Sequence, residues 1–173
     1  MSEIFDNVSS DRDAIKKLFS KIPGFKGYIE REDRRSSDKI LRETIDRDYE
    51  AQYQRISSLQ RDMISQGGLA YIDDLENAAI KIRQFIDRVK TASYGYAGLF
   101  DALKIKEEEL ENIYKYDLTL LEHVDVLSGA IDNVESSLGT DGLPASIRHL
   151  ITTSQEVLDA FNKRSDAMKG ISL

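Results

Sequence analysis

Apolar residues recur at steps of three and four along almost the whole chain, which is the spacing of one face of an α-helix. The clearest row consists of Ile72, Leu75, Ala79, Ile82, Ile86 and Val89. Runs of alternating β-branched residues between turns, which would indicate strands, are missing. The chain contains only two prolines, Pro23 and Pro144, so the long stretch between them has no strong helix breaker. The pattern predicts an all-α protein.

The same spacing predicts one short helix and four long helices. Their expected bounds are 10–21, 27–66, 69–93, 106–138 and 144 onward. Glycine-rich turns join the long helices, which favours an antiparallel bundle with packing of the coiled-coil type. We therefore expect two parts: residues 1–26 as a short amphipathic N-terminal helix with a Pro-Gly turn, and residues 27–173 as a single-domain helical bundle.

The predicted long helices differ in length, which bears on self-association. At 1.5 Å per residue, a second helix of about 40 residues is roughly 60 Å long, whereas a third of about 25 residues is roughly 37 Å long. One end of the second helix should then overhang, leaving uncovered either Tyr49 and Tyr53 or the end at Tyr28 and Ile29. The first helix, the connection after residue 93 or another copy of the chain would cover it. Because large exposed apolar patches usually mark interfaces, we expect a homo-oligomer or a protein partner.

Composition and charge exclude several classes of protein. The chain has 24 basic and 31 acidic side chains and a net charge of −7, which argues against nucleic-acid binding. It has no cysteine, so it has no disulfide, thiolate metal site or cysteine nucleophile. Neither a secretory signal nor a long apolar span is evident. These features predict a cytoplasmic protein.

Histidine and carboxylate patterns give little support for a metal, a cofactor or a catalytic site. The two histidines, His123 and His149, lack the Glu-x-x-His partners of a helical carboxylate metal site. Glu107, Glu108, Glu109 and Glu111 open the fourth helix, where the helix dipole favours acidic residues. We expect no catalytic, cofactor-binding or metal-binding residue, and interpret these glutamates as a solvated or partner-facing surface.

Three further segments are candidate interaction surfaces. Basic residues on the second helix, interleaved with acids four positions away, form either a surface of weak ion pairs or a dock for the acidic fourth helix, in the same chain or a neighbour. This basic set is Arg31, Arg35, Lys39 and Arg42, with Arg34 at its edge. The stretch containing Tyr94, Tyr96 and Phe100 also contains two glycines, which predicts a tight corner between helices plugged by aromatic rings, or else a pocket for a ligand or partner.

The N-terminal helix is amphipathic and locally basic. Its apolar face is formed by Ile15, Leu18, Phe19 and Ile22. Between residues 12 and 26 there are five basic side chains and one acidic one. Such a helix packs on its own bundle, lies on an anionic membrane surface or binds a partner protein.

Two segments carry a resemblance to known sequences. Residues 22–28, IPGFKGY, and residues 92–101, ASYGYAGLFD, are similar to stretches in an uncharacterised group of small bacterial all-helical proteins with no assigned activity. The resemblance extends over most of the chain and implies a bacterial source and a helical fold, but no activity.

The sequence thus favours a non-enzymatic interaction or scaffold protein that self-associates or serves as a subunit of a larger assembly. The alternative is a peripheral protein held at the inner membrane face by its N-terminal helix. An enzyme that uses only carboxylates and tyrosines is a third class, which would require a deep pocket holding two or more buried carboxylates.

Overall fold

A computed structural model describes residues 11–30, 34–66, 68–101 and 107–171, and every regular element in these ranges is helical. The elements are α1 (Asp11–Lys21), α2 (Phe25–Glu30), α3 (Arg34–Ser65), a 3-10 turn (Leu69–Tyr71), α4 (Ile72–Asp101), α5 (Glu107–Ser137) and α6 (Leu143–Ile171). The predicted all-α fold is confirmed, and the bounds of α1 and α5 agree with the predicted ones within one residue.

Helices α3 to α6 form an antiparallel four-helix bundle in which each helix runs opposite to the next along the chain. The order around the bundle is α3, α4, α6, α5, so α4 and α5 lie across its diagonal. Contacts show the directions: Gln60 bonds to Glu76 near the start of α4, whereas Asp46 pairs with Lys90 farther along it. Consequently α3 and α5 are parallel neighbours, as are α4 and α6.

The four long helices have nearly equal lengths of 32, 30, 31 and 29 residues. The predicted overhang of the second helix is therefore wrong. Its predicted range is divided between α2 and α3, and α4 extends beyond the predicted end at residue 93. Tyr49 is completely buried and Tyr53 packs against the core, so neither needs a partner chain to cover it.

The predicted corner at residues 94–100 is also wrong, because this stretch belongs to the last turns of α4. Glycine costs a helix only about 1 kcal/mol relative to alanine, so two glycines do not end a helix that has packing partners. The side chains of Tyr94, Tyr96 and Phe100 and the connection 102–106 lie outside the described residues. The interpretations of those aromatic rings therefore remain predictions.

An aromatic cluster joins three helices in the middle of the bundle. The rings of Tyr49 and Phe85 have centroids 4.3 Å apart, and Phe85 meets Phe161 edge to face at 5.5 Å. The Tyr49 hydroxyl donates a 2.7 Å hydrogen bond to the backbone carbonyl of Leu120 on α5. The cluster thus connects α3, α4 and α6 by packing, and the hydroxyl connects α3 to α5.

The N-terminal helices cover one side of the bundle, with α1 against α5 and α2 against α3. Leu18, Ile22 and Phe25 are fully buried there, and Phe25 meets Tyr114 edge to face at 5.7 Å. The chain turns between the two helices at Gly24, whose φ of 83° favours glycine.

Candidate functional site

The most unusual group in the interior is an ion pair between α5 and α6. Arg164 binds both carboxylate oxygens of Asp117 through two guanidinium nitrogens, one of them at 3.3 Å. Each side chain is only 2% exposed. Both residues occupy inward positions, because Arg164 follows Phe161 by three residues and Asp117 follows Tyr114 by three.

Two residues of α3 extend this pair into a four-residue ion network. Arg164 also donates to an Asp38 oxygen at 3.3 Å, and the other Asp38 oxygen accepts a 2.7 Å bond from Nε of Arg42. Two guanidinium groups thus balance two carboxylates within the bundle. The network, formed by Asp38, Arg42, Asp117 and Arg164, links α3, α5 and α6 near the start of α3 and the end of α6.

Burial raises the pKa of the Asp117 carboxyl above its usual value, and the neighbouring Arg164 guanidinium opposes that rise. A carboxylate can act as a base or a metal ligand only when a lone pair is available to the substrate or metal. The oxygens of Asp117 are both bound by Arg164, and those of Asp38 are shared between Arg164 and Arg42. This geometry indicates that the network is structural and connects the helices.

Two depressions on the described surface do not reach the buried carboxylates. The larger, of about 480 Å³, lies between α4 and α6 over Ala92 and Phe161. Its cationic side chains are already engaged, since Arg88 donates to Asn162 at 3.0 Å and Lys169 is 3.6 Å from Asp166. The smaller depression is lined by Arg42, Glu43, Asp46, Val89 and Lys90. Neither is lined by Asp38 or Asp117.

The predicted ion pairing at a spacing of four residues is present on α3 between Asp38 and Arg42, at 2.7 Å. The pair is mostly buried and belongs to the ion network, so Arg42 does not await an acidic helix. Glu108 is exposed and Glu111 is half-buried. The residue Arg31 and the side chains of Arg35 and Glu107 lie outside the described part of the chain.

A different arginine, Arg55, connects α3 with α5, the acidic helix. Arg55 on α3 donates to Ser128 at 2.9 Å, to Glu135 at 3.2 Å and to Asp132, all on α5. The two carboxylates raise the pKa of Arg55 even though its partial burial alone would lower it. An electrostatic contact between α3 and α5 therefore exists within one chain, between residues other than those that the sequence pattern singled out.

The N-terminal candidate residues lie on the chain's own bundle. Leu18 and Ile22 are buried, whereas Ile15 and Phe19 are half-buried against the core. Of the three interpretations of this helix, packing on its own bundle describes its position in the structure. No described helix combines the length and the apolar character needed to cross a bilayer.

Large apolar side chains remain exposed at a few described positions. Ile64 and Leu69 are 56% and 66% exposed and flank the turn between α3 and α4. Ile80 and Val126 are also exposed, but they lie apart on two helices that occupy the bundle diagonal. Ile64 and Leu69 are five residues apart, one on each side of this turn, and are nearer to each other in sequence than any other two of the large exposed apolar residues that the structure describes; we call these two residues the apolar end.

The two histidines have ordinary surroundings. Nδ1 of His123 donates a 2.8 Å hydrogen bond to the backbone carbonyl of Thr119, one helical turn earlier, and His149 is exposed. In the described ranges, no group of three or more histidine or carboxylate side chains could hold a metal ion.

Comparisons of the chain with protein families, with curated proteins and with solved structures found no match.

Proposed function

We propose that this chain is a non-enzymatic helical interaction protein that self-associates through the apolar end formed by Ile64 and Leu69. The observation that carries the proposal is the exposure of these two large side chains on either side of one turn, in a bundle whose described aromatic side chains are buried or half-buried. Exposed apolar side chains close together on a soluble protein commonly mark an interface.

The position of this end favours a second copy of the same chain as the partner. A two-fold axis beside the turn between α3 and α4 would place each copy's Ile64 and Leu69 against those of the other, which is the usual isologous arrangement. The turn between α5 and α6 lies at the same end of the bundle because α3 and α5 are parallel. Its exposed Asp141 would stand at the polar edge of such an interface.

The arrangement of the buried carboxylates also supports an interaction role that depends on the protein surface. The buried carboxylates of Asp38 and Asp117 are bound by Arg42 and Arg164, and the described depressions do not open onto them. An enzyme of the carboxylate class would need such groups to face a substrate pocket.

Paired substitutions test the proposed interface. Replacing Ile64 and Leu69 by serine should shift the protein from oligomer to monomer in size-exclusion chromatography with light scattering. A matched variant, Ile80→Ser with Val126→Ser, removes a similar exposed apolar surface elsewhere and should leave the oligomer intact. Equal effects of the two pairs, or an oligomer insensitive to both, would contradict an interface at the apolar end.

A further inference from the structure

Helix α1 is attached to the bundle by a small apolar face. Leu18 and Ile22 are fully buried on α5, while Ile15 and Phe19 are half-buried. The next buried anchor, Phe25, belongs to α2 and lies beyond the turn at Gly24. Gly24 is exposed, has a φ of 83°, and has no atom within 4 Å of the place where a Cβ would be. A rotation at this turn would separate the ring of Phe19 from that of Phe25, whose centroids are 6.2 Å apart, and would move α1 while α2 stays in place.

The charged contacts between α1 and α5 are exposed to solvent. Lys17 lies 3.7 Å from Glu122, and Lys21 lies 3.3 Å from Asp125. The side chain of Asp125 is 80% exposed, so water and ions compete with this pair. Glu122 and Asp125 therefore bind the two lysines at a solvent-exposed position, where another anion could replace the carboxylates.

The exposed side chains of α1 differ in charge from the protein as a whole. Lys16, Lys17 and Lys21 are exposed on this helix, and Lys26 is exposed just after the turn. The whole chain has a net charge of −7. An amphipathic helix with lysines beside an apolar face is the kind that inserts into an anionic lipid interface. The lysines alone would suit an acidic protein, whereas lysines together with the apolar face that α1 uncovers on leaving α5 suit a lipid interface.

We propose that α1 is a releasable arm, held closed on α5 by Glu122 and Asp125, that transfers its apolar face and its lysines to an anionic lipid surface. This inference goes beyond self-association, because it concerns a different part of the chain and a different partner. In the closed state Leu18 and Ile22 are covered, so the contact with α5 inhibits lipid binding. On release, the apolar face of α1 exchanges its contacts on α5 for contacts with acyl chains. The lysines exchange Glu122 and Asp125 for lipid headgroups.

Removing the closing charges tests the proposal directly. In Glu122→Gln with Asp125→Asn, the full chain should bind vesicles of phosphatidylcholine and phosphatidylglycerol at least five-fold more tightly than the unaltered protein at low salt. Glu156→Gln with Asp159→Asn on α6 is the matched control, because it changes the net charge equally at exposed sites away from α1. The control should bind like the unaltered protein. No binding by any form, or equal gains in both variants, would overturn the proposal.

A reversible tether tests whether α1 must leave α5. The chain has no cysteine, so Lys21→Cys with Asp125→Cys offers one pair of thiols across the contact, which a bis-maleimide linker with a central disulfide can join. The linker takes the place of the length of the lysine side chain, which a direct disulfide would not span. The cross-linked protein should lose its affinity for the same vesicles, and reduction of the linker should restore it. Equal binding by the cross-linked and the reduced protein would overturn the proposal, since the arm could not then be the lipid-binding element.

Discussion

Arg164 of α6 and Asp117 of α5 form a bidentate ion pair in which each side chain is only 2% exposed. Removing two charges from water is costly, and the attraction between them offsets the cost only when the geometry is good. The pair therefore adds little net stability, but it fixes the position of α6 along the axis of α5. Through Asp38 it also fixes α6 relative to α3.

Breaking this pair from one side should be strongly destabilising. Arg164→Met leaves the Asp117 carboxylate buried without its bidentate partner, which should lower the free energy of unfolding by about 3–5 kcal/mol. Urea unfolding followed by circular dichroism measures the change. Lys169→Met removes an exposed lysine of the same helix and should change stability by no more than about 0.5 kcal/mol.

Removing both charges of the pair should recover most of the free energy of unfolding that Arg164→Met loses. In Arg164→Met with Asp117→Leu, no unpaired carboxylate remains at the pair, and Asp38 keeps its bond to Arg42. We expect this double variant to be more stable than Arg164→Met alone. A double variant as unstable as the single one would show that packing at these positions, and not the buried charge, determines stability.

Tyr49 gives a pH-dependent prediction. Burial, with a contribution from Asp48, raises the pKa of Tyr49 far above its ordinary value, so the folded protein keeps the hydroxyl protonated at high pH. The unfolded chain ionises near its ordinary pKa of about 10 and gains about 1.4 kcal/mol by pH 11. The stability associated with this group is therefore present below about pH 10 and is lost as the pH rises further.

Tyr49→Phe should reveal that loss. At pH 7 the variant lacks the hydrogen bond to Leu120 and should be less stable by about 1 kcal/mol. At pH 11 the deficit should disappear, because only the unaltered unfolded chain gains from ionisation at this position. Ile131→Val, a core change of about 0.5–1.5 kcal/mol without a titrating group, should show the same deficit at both pH values. A constant deficit for Tyr49→Phe would contradict the role of the hydroxyl.

Gly129 within α5 and Gly139 beyond its end should respond to substitution by alanine with opposite changes in stability. A Cβ at Gly129 would meet nothing within 4 Å besides its chain neighbours and its own helix backbone, so Gly129→Ala should stabilise the protein by about 1 kcal/mol. Gly139 follows α5 with a φ of 75°, and Gly139→Ala should destabilise it by about 1–2 kcal/mol. Thermal unfolding of both variants decides this, and a shift in the same direction for both would contradict the described end of α5.

The helical fold could be predicted because its signals are local. Apolar steps of three and four marked each long helix, and Pro23 and Gly139 marked ends that the structure confirms. The end of α4 could not be predicted in this way. Gly95 and Gly98 lower helix propensity only slightly, and tertiary packing determines whether a helix continues through them. The error in helix length produced the incorrect overhang.

The pair of Asp38 and Arg42 follows from the spacing of four residues between acids and bases on the second predicted helix, but the buried pair of Asp117 and Arg164 was missed although the sequence contained a sign of it. Arg164 stands four residues before the buried Met168, and Asp117 stands four residues before the buried Leu121. Opposite charges at inward positions of two predicted antiparallel helices indicate a buried pair. The sequence around Arg55 contains no comparable sign of its contacts with α5. These contacts depend on the parallel placement of α3 and α5, which no local pattern encodes.

The mass of the unaltered protein in solution tests the central proposal most directly. Sedimentation equilibrium at tens of micromolar should give at least twice the 19.6 kDa of a single chain, with a concentration-dependent return to the single-chain mass on dilution. A mass of 19.6 kDa across the whole concentration range would contradict self-association through Ile64 and Leu69.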